Sequence, residues 1–131
     1  LQKRTNIVVS NKLKELENAI VCNSIVTAKQ YCKKHGFDEL WVIGGQNIYE
    51  QCYFLKPDSY YLTIIDKHMK CDTFMPNLPK EYTLEETTLD QFKEPGDTKD
   101  TLLYFNHYTK KNPIRETTLL SRGSIDYIQN T

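Results

Sequence analysis

The run Leu40-Trp41-Val42-Ile43-Gly44-Gly45-Gln46-Asn47-Ile48-Tyr49 constrains this chain more than any other. Leu40 to Ile43 is apolar without alternation, the pattern of a strand buried on both faces of a parallel sheet. Two glycines end it and a helix begins at once, with Ile48, Cys52 and Leu55 on one stripe, Tyr49 and Tyr53 beside it, and Pro57 as the stop. A strand that feeds directly into a helix demands α/β layering. The junction also has chemical potential. The first N–H groups of a helix attract anions, glycine lets a phosphate approach the backbone, and open α/β sheets bind ligands at the carboxyl ends of their strands. Two adjacent glycines also suit a tight turn and lack the G-x-G-x-x-G spacing, so both readings stand.

The rest of the chain fits around this unit. Residues 5–10 read as a strand with a β-branched centre, the Lys- and Glu-rich residues 12–17 as a solvated connection, and residues 19–22 as a short apolar run. Ser24 caps a helix running to about His35, with Ile25, Ala28 and Cys32 on one face and Gly36 as the stop. Residues 59–66 form a strand with Tyr61, Thr63 and Ile65 on one face and Tyr60, Leu62 and Ile64 on the other. Strands at 81–92 and 101–110 flank the turn Glu94-Pro95-Gly96-Asp97 as an edge hairpin, while residues 112–131 show no clear period and read as a tail or linker. The expected fold is α/β: a mostly parallel sheet with an antiparallel C-terminal hairpin at its edge and helices on both faces, in a domain spanning residues 1–111.

Composition narrows the function. Seventeen Lys and Arg balance 17 Asp and Glu over 131 residues, which argues against nucleic-acid binding by bulk charge. No apolar run exceeds four residues, well short of a membrane span. Cys22, Cys32, Cys52 and Cys71 lack the close spacing of a metal site or redox dithiol and read as reduced structural thiols. His35, His68 and His107 are isolated, so no metal is expected and a cytoplasmic setting suits the chain. It begins at Leu1, without an initiator Met, which reads as processing or as a piece of something longer.

Four segments in fixed order carry a family resemblance: Leu1-x-x-Arg4-x-Asn6-Ile7-Val8-Val9-Ser10, then Trp41 to Tyr49, then Tyr61-Leu62-Thr63-x-Ile65-Asp66, then Cys71-Asp72-Thr73-Phe74-Met75-Pro76. This series resembles dihydrofolate reductase over residues 1–111, and Tyr104-Phe105-x-x-Tyr108-x-Lys110 is similar to that family's last strand. The resemblance implies that roughly the first third of the family's domain is absent here. With it go the catalytic acid, the mobile loop and central strands whose loss would leave Ile7–Val9 and Leu40–Ile43 with unpaired edges.

The resemblance also assigns roles. Arg4 grips the α-carboxylate of the substrate's glutamate, where a planar guanidinium can offer two parallel N–H donors. Leu1 contacts the aminobenzoyl ring. Ile43 offers its carbonyl to the pterin, and Gly44 and Gly45 share a cis peptide. Gly45, Gln46, Asn47 and Ile48 hold the cofactor pyrophosphate, with Ile43, Gly44 and Tyr49 completing the cofactor wall; Tyr49 lies near the nicotinamide. Val9 lies against the adenine, Ser10 and Asn11 hold the 2′-phosphate, and Asn23 and Ser24 form the far wall of that pocket. Thr63, an inward-facing hydroxyl that suits a core threonine equally well, supports the catalytic acid. Asp72 supports the mobile loop indirectly.

The implied reaction is NADPH-dependent reduction of dihydrofolate, with antifolates as inhibitors and the absent N-terminal segment as a required partner. The tail leaves room for a fused thymidylate synthase. Two rivals remain: a riboflavin-biosynthesis reductase of the same fold, and an inactive structural domain.

Overall fold

The computed structural model describes residues 1–111 and the strand at 125–130. The chain divides into two compact units, Leu1–Leu55 with Glu116–Thr131, and Lys56–Arg115.

The first unit is a parallel sheet with two helices. Its strands are β1 (Asn6–Val9), β2 (Ile20–Cys22) and β3 (Glu39–Val42), with the C-terminal β7 (Ile125–Asn130) placed between β1 and β3 in the order β2-β1-β7-β3. Ile7, Val8 and Val9 are all buried, as β-branched residues at the centre of a sheet should be. Helix α1 (Ile25–Lys34) starts where the Ser24 hydroxyl accepts the Thr27 N–H at 3.1 Å. It stops where Gly36 turns left-handed (φ 74°) and Phe37 N–H reaches back to the Cys32 carbonyl at 3.0 Å, with Lys33 and Lys34 at the negative end of the helix dipole. Helix α2 (Gln46–Leu55) buries Ile48 and Cys52.

Ile7, Val9 and Cys22 of the sheet, Ile25, Ala28 and Cys32 of α1, and Ile48 and Cys52 of α2 form one core. Both helices therefore pack on the face presented by Ile7 and Val9, not on opposite faces as the sequence suggested. Three further expectations change. Residues 125–130, left without an element by their lack of period, form β7, and residues 112–124 of the supposed tail lie outside the described residues. β1 is paired on both sides, by β2 and β7, so Ile7–Val9 has no open edge. β3 pairs only with β7 among the described residues and is half-buried throughout, where its apolar run had suggested a strand covered on both faces.

The second unit is an antiparallel sheet of β4 (Ser59–Ile65), β5 (Tyr82–Phe92) and β6 (Thr101–Lys110), in the order β4-β6-β5. The hairpin of β5 and β6 follows its sequence pattern, but it belongs to a separate antiparallel sheet and not to the edge of one mixed sheet. A bulge between Leu84 and Glu86 leaves Glu85 as the extra residue of β5. Tyr82 packs edge-to-face on Tyr60 at 4.8 Å, and its hydroxyl donates to the Pro57 carbonyl. Tyr61, Ile64, Ile65, Leu84, Leu89 and Phe105 are exposed.

Candidate functional site

Gly44 and Gly45 are joined by a cis peptide and lead from β3 into α2. The Gly45 carbonyl accepts N–H bonds from Ile48 and Tyr49, both at 3.0 Å, which leaves the N–H groups of Gln46 and Asn47 outside the helical pattern. Gly44 is buried at φ 120°, and a Cβ on it would lie 3.4 Å from the Tyr49 hydroxyl. A Cβ on Gly45 would meet nothing within 4 Å, so open space lies over that residue. Gln46 does not extend over the helix start, since its amide donates to Glu50 at 2.8 Å. Burial pushes the Tyr49 phenol up, with Cys52 adding to it, and burial raises the Cys52 thiol to about 11.

Leu1, Arg4 and Ile43 come together in the wall of one concavity of about 670 Å³. Asn6, Ile7, Val8 and the turn at 16–19 line it as well. The side chain of Asn6 organises the Leu1–Arg4 turn: its amide donates to the Leu1 carbonyl at 2.9 Å and to the Arg4 carbonyl at 3.3 Å. Sequence reasoning missed Asn6 and the 16–19 turn. An Asn just ahead of a β-branched run, with its preference for bonding nearby backbone, was the available signal for the first.

The residues expected around an adenosine 2′-phosphate are neighbours because β1 and β2 run parallel in register. Val9 is the partner of Cys22, so Ser10 and Asn11 leave β1 beside the point where Asn23 and Ser24 leave β2. Their side chains have local work as well. The buried Ser10 hydroxyl accepts the Lys12 and Leu13 N–H groups at 3.2 and 3.1 Å and keeps its own proton to donate. Ser24 caps α1, and the Asn23 side chain accepts the Thr27 hydroxyl at 2.9 Å.

Thr63 lies in the second unit, on the same face of β4 as Tyr61 and Ile65 and opposite Phe105 in register. It is exposed, so the core-threonine reading fails: no layer among the described residues covers it. Asp72 is exposed too, and accepts the Thr73 hydroxyl at 3.2 Å.

An open parallel sheet whose strand passes through paired glycines into a helix, with Ile43 lining a concavity beside it, defines an α/β domain of the class in which strand ends open toward a crevice. The dihydrofolate reductase family model matches residues 1–110, and the chain belongs to that family. It is 42% identical over 98 residues to dihydrofolate reductase of Haemophilus influenzae, covering 74% of this chain and 58% of that protein. The enzyme of Heliothis virescens is 31% identical over 121 residues, 84% of this chain and 63% of the relative. A bifunctional dihydrofolate reductase-thymidylate synthase of Daucus carota is 30% identical over 89 residues, 60% of this chain and 16% of that protein. The chain thus spans little more than half the length of the first two relatives. Among the described residues, no helix is long and apolar enough to cross a membrane.

Proposed function

We propose that the protein containing this chain reduces 7,8-dihydrofolate to tetrahydrofolate with NADPH. The observation that carries this reading is the meeting of Leu1, Arg4 and Ile43 in one concavity. An arginine and apolar residues lining one concavity suit a ligand with a carboxylate tail and a flat aromatic body.

The fit of the cofactor rests on Gly45. The open space over its Cα, at a helix start with no acidic residue in the first turn, is where an anionic pyrophosphate can approach. The N–H groups of Gly45, Gln46, Asn47 and Ile48 would hold it, with Ile43, Gly44 and Tyr49 forming the neighbouring wall. Ser10 and Asn11, with Asn23 and Ser24 across from them, would bind the 2′-phosphate through hydroxyl and amide donors, and Val9 would lie against the adenine. NADPH, when bound, supplies the hydride that the pterin C6 accepts. The chain's own residues position and exclude: Arg4 fixes the glutamate carboxylate, Leu1 packs on the aminobenzoyl ring, and the Ile43 carbonyl accepts from the pterin. The Thr63 hydroxyl orients the acid that protonates N5. Asp72 would act further out, on the loop that closes the site.

That acid belongs to a segment outside residues 1–131, which we include as a required part of the same protein. The exposed Thr63 and the apolar, exposed residues of β4 support this. Dihydrofolate-dependent oxidation of NADPH by the full-length protein, blocked by an antifolate, tests the reading. NADPH binding without turnover of dihydrofolate would favour an inactive domain, and turnover of a riboflavin precursor would favour the rival reductase.

A further inference from the structure

Among the described residues, Lys3 (φ 61°), Asn18 (φ 60°) and Lys56 (φ 50°) hold a left-handed backbone without being glycine. Lys3 and Asn18 both line the concavity that holds Leu1, Arg4 and Ile43. Asparagine adopts this conformation readily. Lysine does not, and a glycine would hold the Leu1–Arg4 turn at lower cost. Such backbone persists where its surroundings enforce it, and it gathers at ligand clamps. Here the enforcing group is Asn6, whose amide binds the carbonyls of Leu1 and Arg4 on either side of Gln2 and Lys3. Lys3 is exposed, and its ammonium makes no ion pair among the described residues.

We propose that Lys3 is a specificity-determining residue of this concavity, a second cation beside Arg4 that selects a substrate tail with two carboxylates. This role rests on the reductase reading above, in which Arg4 takes the α-carboxylate of the substrate's glutamate. That glutamate carries its γ-carboxylate a short aliphatic chain away. Lys3 and Arg4 are adjacent, with Cα atoms about 3.8 Å apart, and both side chains are long, so one turn can serve both groups. The two cations divide the work by shape. The planar guanidinium suits a carboxylate held in one plane. The ammonium, on a flexible stem, offers donors without demanding an orientation, which suits the freely rotating end of a tail. Glu17, on the turn at 16–19 in the same lining, has the opposite charge and repels a carboxylate from its side. The attraction of Lys3 is that of an exposed pair, modest and screened by salt, so it sets preference between tails more than overall affinity.

Calorimetric titration of the full-length protein with dihydrofolate and with its α-amide and γ-amide analogues tests this. The natural protein should bind dihydrofolate about two- to fivefold more tightly than the γ-amide, the scale of an exposed ion pair. That ratio should shrink toward one as salt is raised. Lys3→Gln and Lys3→Gly should bind the two ligands alike. Lys3→Gly also relieves the left-handed backbone, so it should melt no lower than the natural protein, and its loss of discrimination is then no loss of fold. Equal binding of dihydrofolate and the γ-amide by the natural protein would overturn the role of Lys3 alone, as would a preference that survives in Lys3→Gly. The α-amide should bind more weakly than dihydrofolate in all of these proteins. Equal binding of the α-amide would overturn the Arg4 assignment, and with it the pairing of two cations on one tail. Dihydrofolate that fails to bind at all would overturn the reductase reading and the role of Lys3 together.

Discussion

Arg4 is held by the backbone around it: the Asn6 amide binds the Leu1 and Arg4 carbonyls and so aims the turn at the concavity. Arg4→Ala should cost about 2–3 kcal/mol of dihydrofolate binding, the scale of a lost charge-assisted pair, and leave NADPH affinity unchanged. Equal weakening of both ligands in calorimetric titrations would remove the carboxylate role. Gly45→Ala makes the complementary case. The added Cβ meets no atom of the chain, so thermal stability should hold while NADPH affinity falls. Gly44→Ala should destabilise the fold itself, because φ 120° disfavours a side chain and Tyr49 lies 3.4 Å away. The two variants together separate a ligand approach from a packing requirement. The junction at Gly44 and Gly45 was legible because a strand that runs through paired glycines into a helix depends on residue type and order. Asn6 was not, because its two bonds depend on the path of a turn. The burial of Thr63 was misread for a related reason: alternation says which residues share a face, and not whether that face is covered.

At the scale of elements, α1 and β4–β6 were legible from caps and alternation, whereas β7 was not. A central parallel strand is expected to be nearly continuous in apolar residues, as Ile7–Val9 is, but Ile125–Asn130 reads Ile-Asp-Tyr-Ile-Gln-Asn. Its place follows from pairing with β1 and β3, and pairing partners distant in sequence leave no local signal. Ser24 caps α1 and, in the proposed reading, also lines the 2′-phosphate pocket. Ser24→Ala should cost about 1 kcal/mol in chemical denaturation from the lost cap, whatever it does to the cofactor. Tyr82 anchors the start of β5. Burial first, then the nearby Tyr60, Glu81 and Asp58, raises its phenol to about 12. The folded state therefore holds the phenolic proton more tightly than the unfolded chain, whose tyrosines ionise near 10. The stabilisation is complete below about pH 10 and is lost as the pH climbs through about 12. Tyr82→Phe should flatten the fall in stability over that window, and an unchanged pH profile would show that Tyr82 ionisation does not drive the loss.

Across the whole molecule, the two units draw stability from different parts of the chain. The antiparallel unit is local: β4, β5 and β6 lie within residues 59–110. The parallel unit depends on β7, which returns from the far end of the chain to pair with both β1 and β3. Each ladder hydrogen bond is worth about 0.5–1.5 kcal/mol net, and native domains are stable by only about 5–15 kcal/mol. Removing a strand that carries two ladders should therefore unfold the parallel sheet while sparing the antiparallel one. Hydrogen exchange on the protein ended after Lys111, compared with the protein that retains residues 112–131, tests this directly. The amides of Asn6–Val9 and Glu39–Val42 should lose protection by several orders of magnitude, while those of Tyr61–Ile65 and Leu102–Thr109 keep theirs. NADPH affinity should fall with the first group, because β3 delivers Gly44 and Gly45 to the start of α2. Unchanged protection in β1 and β3 would mean that the parallel sheet holds without β7.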